Sequence, residues 1–123
     1  MTTVSFEECL ENRYDETDNR YPEDFKFILQ CNDLTVILIY SQEEINANQW
    51  KQLIDAVENG NEYTLTFLDS NGNLSITTKN KFTTFYVSKY GGYNSASSDI
   101  VVPSLACLGA FKQAYSTILR YNI

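Results

Sequence analysis

From residue 25 onward the chain divides by hydrophobic period. Phe25, Phe27, Leu29 and Cys31 alternate with Lys26, Ile28 and Gln30, and Leu34, Val36, Leu38 and Tyr40 alternate with Thr35, Ile37 and Ile39. A period of two predicts strands, and Asn32-Asp33 between the runs supplies a tight hairpin. The second run is apolar at both parities. That predicts a central strand covered on both faces, or a strand with one face closed by a partner subunit.

The period then changes. Trp50, Leu53, Ile54 and Val57 fall at helical spacing, so one face of a helix is buried. Asn46 is its candidate N-cap with Gln49 at N3, and Ile45 and Trp50 have hydrophobic-staple spacing. Ser41 with Glu44 is a rival, earlier cap. Asn59-Gly60 ends the helix, because either residue takes the left-handed conformation.

The second half repeats the order. Tyr63, Leu65 and Phe67 alternate with threonines, Asp69 to Gly72 form a turn, and Leu74 and Ile76 lie on the return strand. Phe82 to Ser88 read as a third strand and Ile100 to Val102 as a short one stopped by Pro103. The polar, glycine-containing run 89–99 between them reads as a loop. Ser104 caps a last helix with Leu105, Leu108, Phe111, Tyr115, Ile118 and Leu119 as its apolar stripe.

In front of all this, residues 11–24 show no period, and Ser5 with Glu8 predicts a short capped helix to about Leu10. The expected organisation is an acidic lead-in over 1–24 and one domain over 25–123. The expected class is α+β: a largely antiparallel sheet with two amphipathic helices packed mainly on one face. Its order is two strands and a helix, then three or four strands and a helix.

Composition narrows the chemistry. The chain of 123 residues has no histidine, which excludes Ser-His-Asp and Cys-His catalysis and imidazole metal sites. Cys9, Cys31 and Cys107 are three in number with no C-x-x-C spacing. A complete internal disulfide framework cannot form, and free thiols in a reducing compartment are expected. An EF-hand starting at Asp15 would need Gly and Glu where Arg20 and Lys26 stand, and one starting at Asp69 meets Asn80 in place of the final Glu. Gly91-Gly92 lacks the Gly-Lys-Ser/Thr that cradles phosphate. No metal, no cofactor and no enzymatic activity are expected. No run approaches the ~20 apolar residues of a membrane span, and the first residues lack the charged and apolar regions of a signal peptide. The expectation is a soluble intracellular protein, cytoplasmic or nuclear, without a membrane partner.

Charge is uneven. The chain carries −7 overall: −6 in residues 1–24, −3 in 25–60 and +2 in 61–123. Two candidate contact regions follow. One is the acidic segment with Tyr14, Asp15, Glu16, Asp18 and Tyr21, suited to a basic partner by charge steering. The other is Lys79, Lys81, Tyr86, Lys89, Tyr90 and Tyr93. Interleaved cations and rings of this kind bind single-stranded nucleic acid, although the overall charge disfavours a polyanion.

The order strands–helix–strands–helix also resembles, in element order alone, single-strand-binding modules of the whirly and positive-cofactor-four type. The run Ile45-Asn-Ala-Asn-Gln-Trp50-Lys-Gln-Leu53 after a strand is part of that likeness. The resemblance implies curved antiparallel sheets that bind strands, with helices behind. The whole reading favours a non-catalytic protein-interaction module, such as a small acidic inhibitor or structural component, and leaves room for a homodimer. The alternative is a single-stranded nucleic-acid binder using the basic C-terminal half.

Overall fold

The computed structural model describes residues 2–9, 24–41, 45–69, 72–91 and 93–120. Strands β1 (Thr2–Cys9), β2 (Asp24–Cys31) and β3 (Leu34–Ser41) precede helix α1 (Ala47–Asn59). Strands β4 (Tyr63–Asp69), β5 (Gly72–Lys79), β6 (Phe82–Gly91) and β7 (Asn94–Pro103) precede helix α2 (Ser104–Arg120). The strands form two antiparallel sheets, β1-β2-β3 and β4-β5-β6-β7. The class is therefore α+β as expected, with two sheets where one was predicted.

The predicted helix at Ser5 is a strand. Val4, Phe6 and Cys9 are buried, and β1 pairs with β2 from Thr2 opposite Cys31 to Cys9 opposite Asp24. Long-range pairing with β2 overrides a local capping pattern that had only one turn to act on. The folded unit thus includes β1, ahead of the boundary expected at residue 25. The acidic segment with Tyr14, Asp15, Glu16, Asp18 and Tyr21 lies outside the described residues.

The β2–β3 hairpin turns at Asn32, whose φ of 53° is the left-handed conformation that asparagine tolerates. β3 is not a central strand. It ends the first sheet, with Leu38 and Tyr40 inward and Ile37 and Ile39 exposed outward. Helix α1 starts as predicted. Asn46 accepts from the Gln49 backbone N–H at 3.0 Å, and the Gln49 side chain accepts from the Asn46 N–H at 2.8 Å. Gly60 closes the helix at φ 71°.

Between β5 and β6 the chain reverses through Asn80 and Lys81, both at positive φ. Such a pair gives the mirror-image turn that matches strand twist. The residues read as a loop over 89–99 instead complete a hairpin: β6 and β7 pair residue for residue from Phe82–Pro103 to Gly91–Asn94. Asn94 to Asp99 lack an apolar alternation because both their faces are exposed. This half of the ladder runs past the end of the core, so no burial pattern was written into it.

Helix α2 is rotated from the predicted stripe. Cys107, Ala110, Phe111, Ala114 and Ile118 face inward, while Leu105 and Leu119 are exposed. Small residues let α2 approach α1 and β1, the two elements it packs on most closely. Ser104 opens the helix, but its hydroxyl is spent elsewhere. It lies 3.0 Å from the Thr78 hydroxyl and 2.9 Å from that of Thr83, and all three residues are buried. The Ser104 N–H donates to the Lys81 carbonyl at 2.9 Å, which pins the start of α2 to the β5–β6 turn.

One core joins the parts. Trp50 of α1 is fully buried, with ring centroids 5.8 Å from Phe25, 6.0 Å from Phe27, 5.9 Å from Phe67 and 6.1 Å from Phe111. The inward faces of both sheets and both helices meet at this ring. The outward faces of the sheets carry no helix among the described residues. None of the described helices is long and apolar enough to cross a membrane.

Candidate contact surface

The outward face of the second sheet follows from its register. Thr64, Thr66 and Leu68 lie on β4, with Asn73, Ser75, Thr77 and Lys79 beside them on β5. Thr84, Tyr86, Ser88 and Tyr90 follow on β6, and Ser95, Ser97, Asp99 and Val101 on β7. Leu65, Phe67, Leu74, Ile76, Phe85 and Val102 point inward and are buried. The hydroxyls are ordered across the strands: Thr64 lies 2.9 Å from Thr77, and Thr66 lies 3.2 Å from Ser75. Ser88 donates to Asn73 Oδ1 at 2.9 Å. Tyr86 stands near the middle, between Ser75 and Asp99.

The six candidate residues are split by this geometry. Lys79 and Lys81 sit at one end of β6, and Lys89, Tyr90 and Tyr93 at the other, about 30 Å away for nine strand residues. Lys79 pairs with Glu62 at 3.9 Å. Lys89 has the inward parity and lies 4.7 Å from the centre of the Tyr40 ring, on the side of the sheet opposite Tyr86 and Tyr90. The Tyr40 hydroxyl in turn donates to the Asn73 carbonyl at 3.4 Å. Tyr86 and Tyr90 therefore share a face with each other and with the threonines, and not with Lys89. Sequence reading noted the threonines of β4 as an alternation but missed the face they build with Ser75, Thr77 and Thr84. Only the register across three hairpins assembles it.

Among the described residues, two concavities flank the sheets. One, of about 640 Å³, opens between the end of α1, the Asn80-Lys81 turn and the start of α2, with Val57, Phe82, Pro103 and Leu105 on its walls. The other, of about 390 Å³, runs between β1 and α2 past Phe6 and Gln113. At its ends the Arg120 guanidinium pairs with Glu8, and Lys112 pairs with Glu58 at 3.7 Å. Among the described residues no group of three or more Cys, Asp or Glu is placed to hold a metal ion.

The thiols separate by burial. Cys31 is exposed, whereas Cys9 and Cys107 are buried. Burial pushes the Cys107 thiol up from 9.0 to about 12, a hydrogen bond with Thr83 acting weakly against it. Cys31 should therefore react with an aromatic disulfide reagent at mildly alkaline pH, while Cys9 and Cys107 react only as fast as the protein opens. Rapid modification of two or three thiols in the folded protein would contradict this. The unfolded thiol ionises near 9.0 and the folded one near 12, so stability from Cys107 is full below 9.0 and declines as pH rises between these values.

No curated protein and no solved structure matches the chain. A family model does: residues 35–113, from β3 to the middle of α2, match the family of unknown function DUF5766, and the chain belongs to that family.

Proposed function

We propose that this protein is a non-catalytic interaction module that binds a protein partner through the outward face of its second sheet. The observation that carries this reading is the composition of that face. It combines Thr64, Thr66, Ser75, Thr77 and Thr84 with the rings of Tyr86 and Tyr90 and the exposed Leu68 and Val101, with Asp99 as the one charge on its interior rows and Lys79 at its margin. Tyrosine supplies large contact area at low entropic cost, and small hydroxyl residues supply adaptable hydrogen bonds. The same geometry weighs against the nucleic-acid alternative, since stacking rings need cations beside them along the strand. Here Lys89 is turned to Tyr40 and Lys79 to Glu62.

A photo-reactive phenylalanine analogue placed at Tyr86 tests the reading in extract of the source cells, with the same analogue at Lys51 on α1 as control. A discrete adduct with another protein, formed from Tyr86 and not from Lys51, is the expected result. Absence of any adduct at Tyr86 would overturn it. So would saturable binding of a labelled single-stranded oligonucleotide at low salt that Tyr86→Ala abolishes.

A further inference from the structure

The edges of the two sheets are not alike. β1 is packed against α2, and β3 and β4 lie beside one another. Among the described residues β7 ends the second sheet, with β6 on one side and the start of α2 near its end. From Asn94 to Asp99 every residue is exposed, and Val101 is 60% exposed. Free strand edges are normally guarded by lysines, by prolines or by bulges. β7 has no lysine and no bulge in its pairing with β6, and its one proline is the last residue. It is a long, regular and nearly uncharged edge.

We propose that β7 pairs antiparallel with β7 of a second copy of this chain, about a two-fold axis at Ser97, so that the two four-stranded sheets become one of eight. This goes beyond the reading above and doubles the face on which that reading rests. The strand's own pattern selects the register. With Ser97 opposite its copy, Ser95 faces Asp99 and can donate its hydroxyl to the carboxylate. The fully exposed Tyr93, at the turn, then meets the exposed Val101. Aromatic and β-branched residues opposite one another are favourable cross-strand pairs. A register centred on Asp99 would set two carboxylates face to face, and one centred on Ser98 would place Tyr93 against Pro103.

Charge points to the same occupant. Residues 1–60 of each chain carry −9, while residues 61–123 carry +2. β7 itself carries one acid, Asp99, so two copies meeting along it bring few like charges together. The two-fold also consumes the open edge on both sides, so assembly stops at two. A contact of one strand pair lies at the small end of specific interfaces, below roughly 1,200 Å², so the dimer is expected at micromolar concentrations or above.

Light scattering of the purified full chain from low micromolar to near-millimolar concentration reads the mass directly. The expected result is a rise from one copy to two. Ser97→Lys, which sets two cations together at the axis, should return it to one copy with an unchanged circular dichroism spectrum. In a Cys31→Ser background, Ser97→Cys should give a disulfide-linked dimer under mild oxidation, because directly opposed residues fall within the Cα separation a disulfide spans. Ser95→Cys should not, its copy lying several residues along the strand. A single-copy mass throughout the range, or cross-linking of Ser95→Cys in place of Ser97→Cys, would overturn the proposal. Neither outcome bears on the foreign adduct expected at Tyr86, so the two readings fail separately.

Discussion

Trp50→Ala is expected to cost about 3–5 kcal/mol of folding stability, the range for deleting a large buried aromatic side chain. For a domain stable by about 5–15 kcal/mol this is a large fraction of the total. The size of the effect comes from where the ring sits. It touches Phe25 and Phe27 of β2, Phe67 of β4 and Phe111 of α2, so its loss opens a void where both sheets and both helices converge. Few flanking side chains can collapse into such a void, because Phe27 is already held against Phe85 and Phe111. Trp50→Phe should cost distinctly less. It retains a ring, and it removes a buried indole N–H that has no hydrogen-bond partner among the described residues. Urea denaturation followed by circular dichroism measures both, since Trp50 is the chain's one tryptophan. A loss below about 2 kcal/mol for Trp50→Ala would show that the core can close around the gap.

Gly72→Ala is the second large effect, expected at about 2 kcal/mol or more from strained backbone alone. Gly72 has a φ of 156°, which side-chain-bearing residues rarely adopt. A Cβ there would collide with the Ser88 carbonyl oxygen and press on the Lys89 Cα. Both obstacles are backbone atoms of the paired strand β6, so neither can rotate away. The alanine variant must part β5 from β6 at that end, and the damage should show in faster amide exchange along the β6–β7 hairpin as well as in a lower urea midpoint. Gly91→Ala, where an added Cβ meets nothing within contact range, serves as the neutral comparison. Equal stabilities for the two variants would refute the close-approach account.

The elements whose burial is written locally were readable from sequence. The β2–β3 hairpin, the cap at Asn46, the stop at Gly60 and the strands around Phe67 and Ile76 each carry a period or a cap within a few residues. What escaped reading depends on distant partners. β1 is a strand because β2 pairs with it, and Glu8 three residues after Ser5 mimics a helix start only when that pairing is ignored. The distal half of β6–β7 carries no apolar code because it lies beyond the core. The stripe on α2 was misplaced for a related reason. Leu105 and Leu119 are larger and more apolar than Ala110 and Ala114, yet close packing against α1 and β1 favours the smaller side chains. Of the candidate contact residues, Tyr86 and Tyr90 were singled out by type. Their neighbours Thr64, Thr77 and Thr84 were not, since each is an ordinary strand residue until three hairpins set them in one plane.

The hydroxyls of Thr78, Thr83 and Ser104 give the two ends of α2 different sensitivities to solvent. Its beginning is fastened by neutral groups sealed from water, which dissolved ions do not reach. Its far end combines the buried Ile118 with the Arg120–Glu8 pair at the surface, where mobile counter-ions compete. Raising ionic strength therefore weakens the pair at its tail and leaves the joint at its head untouched.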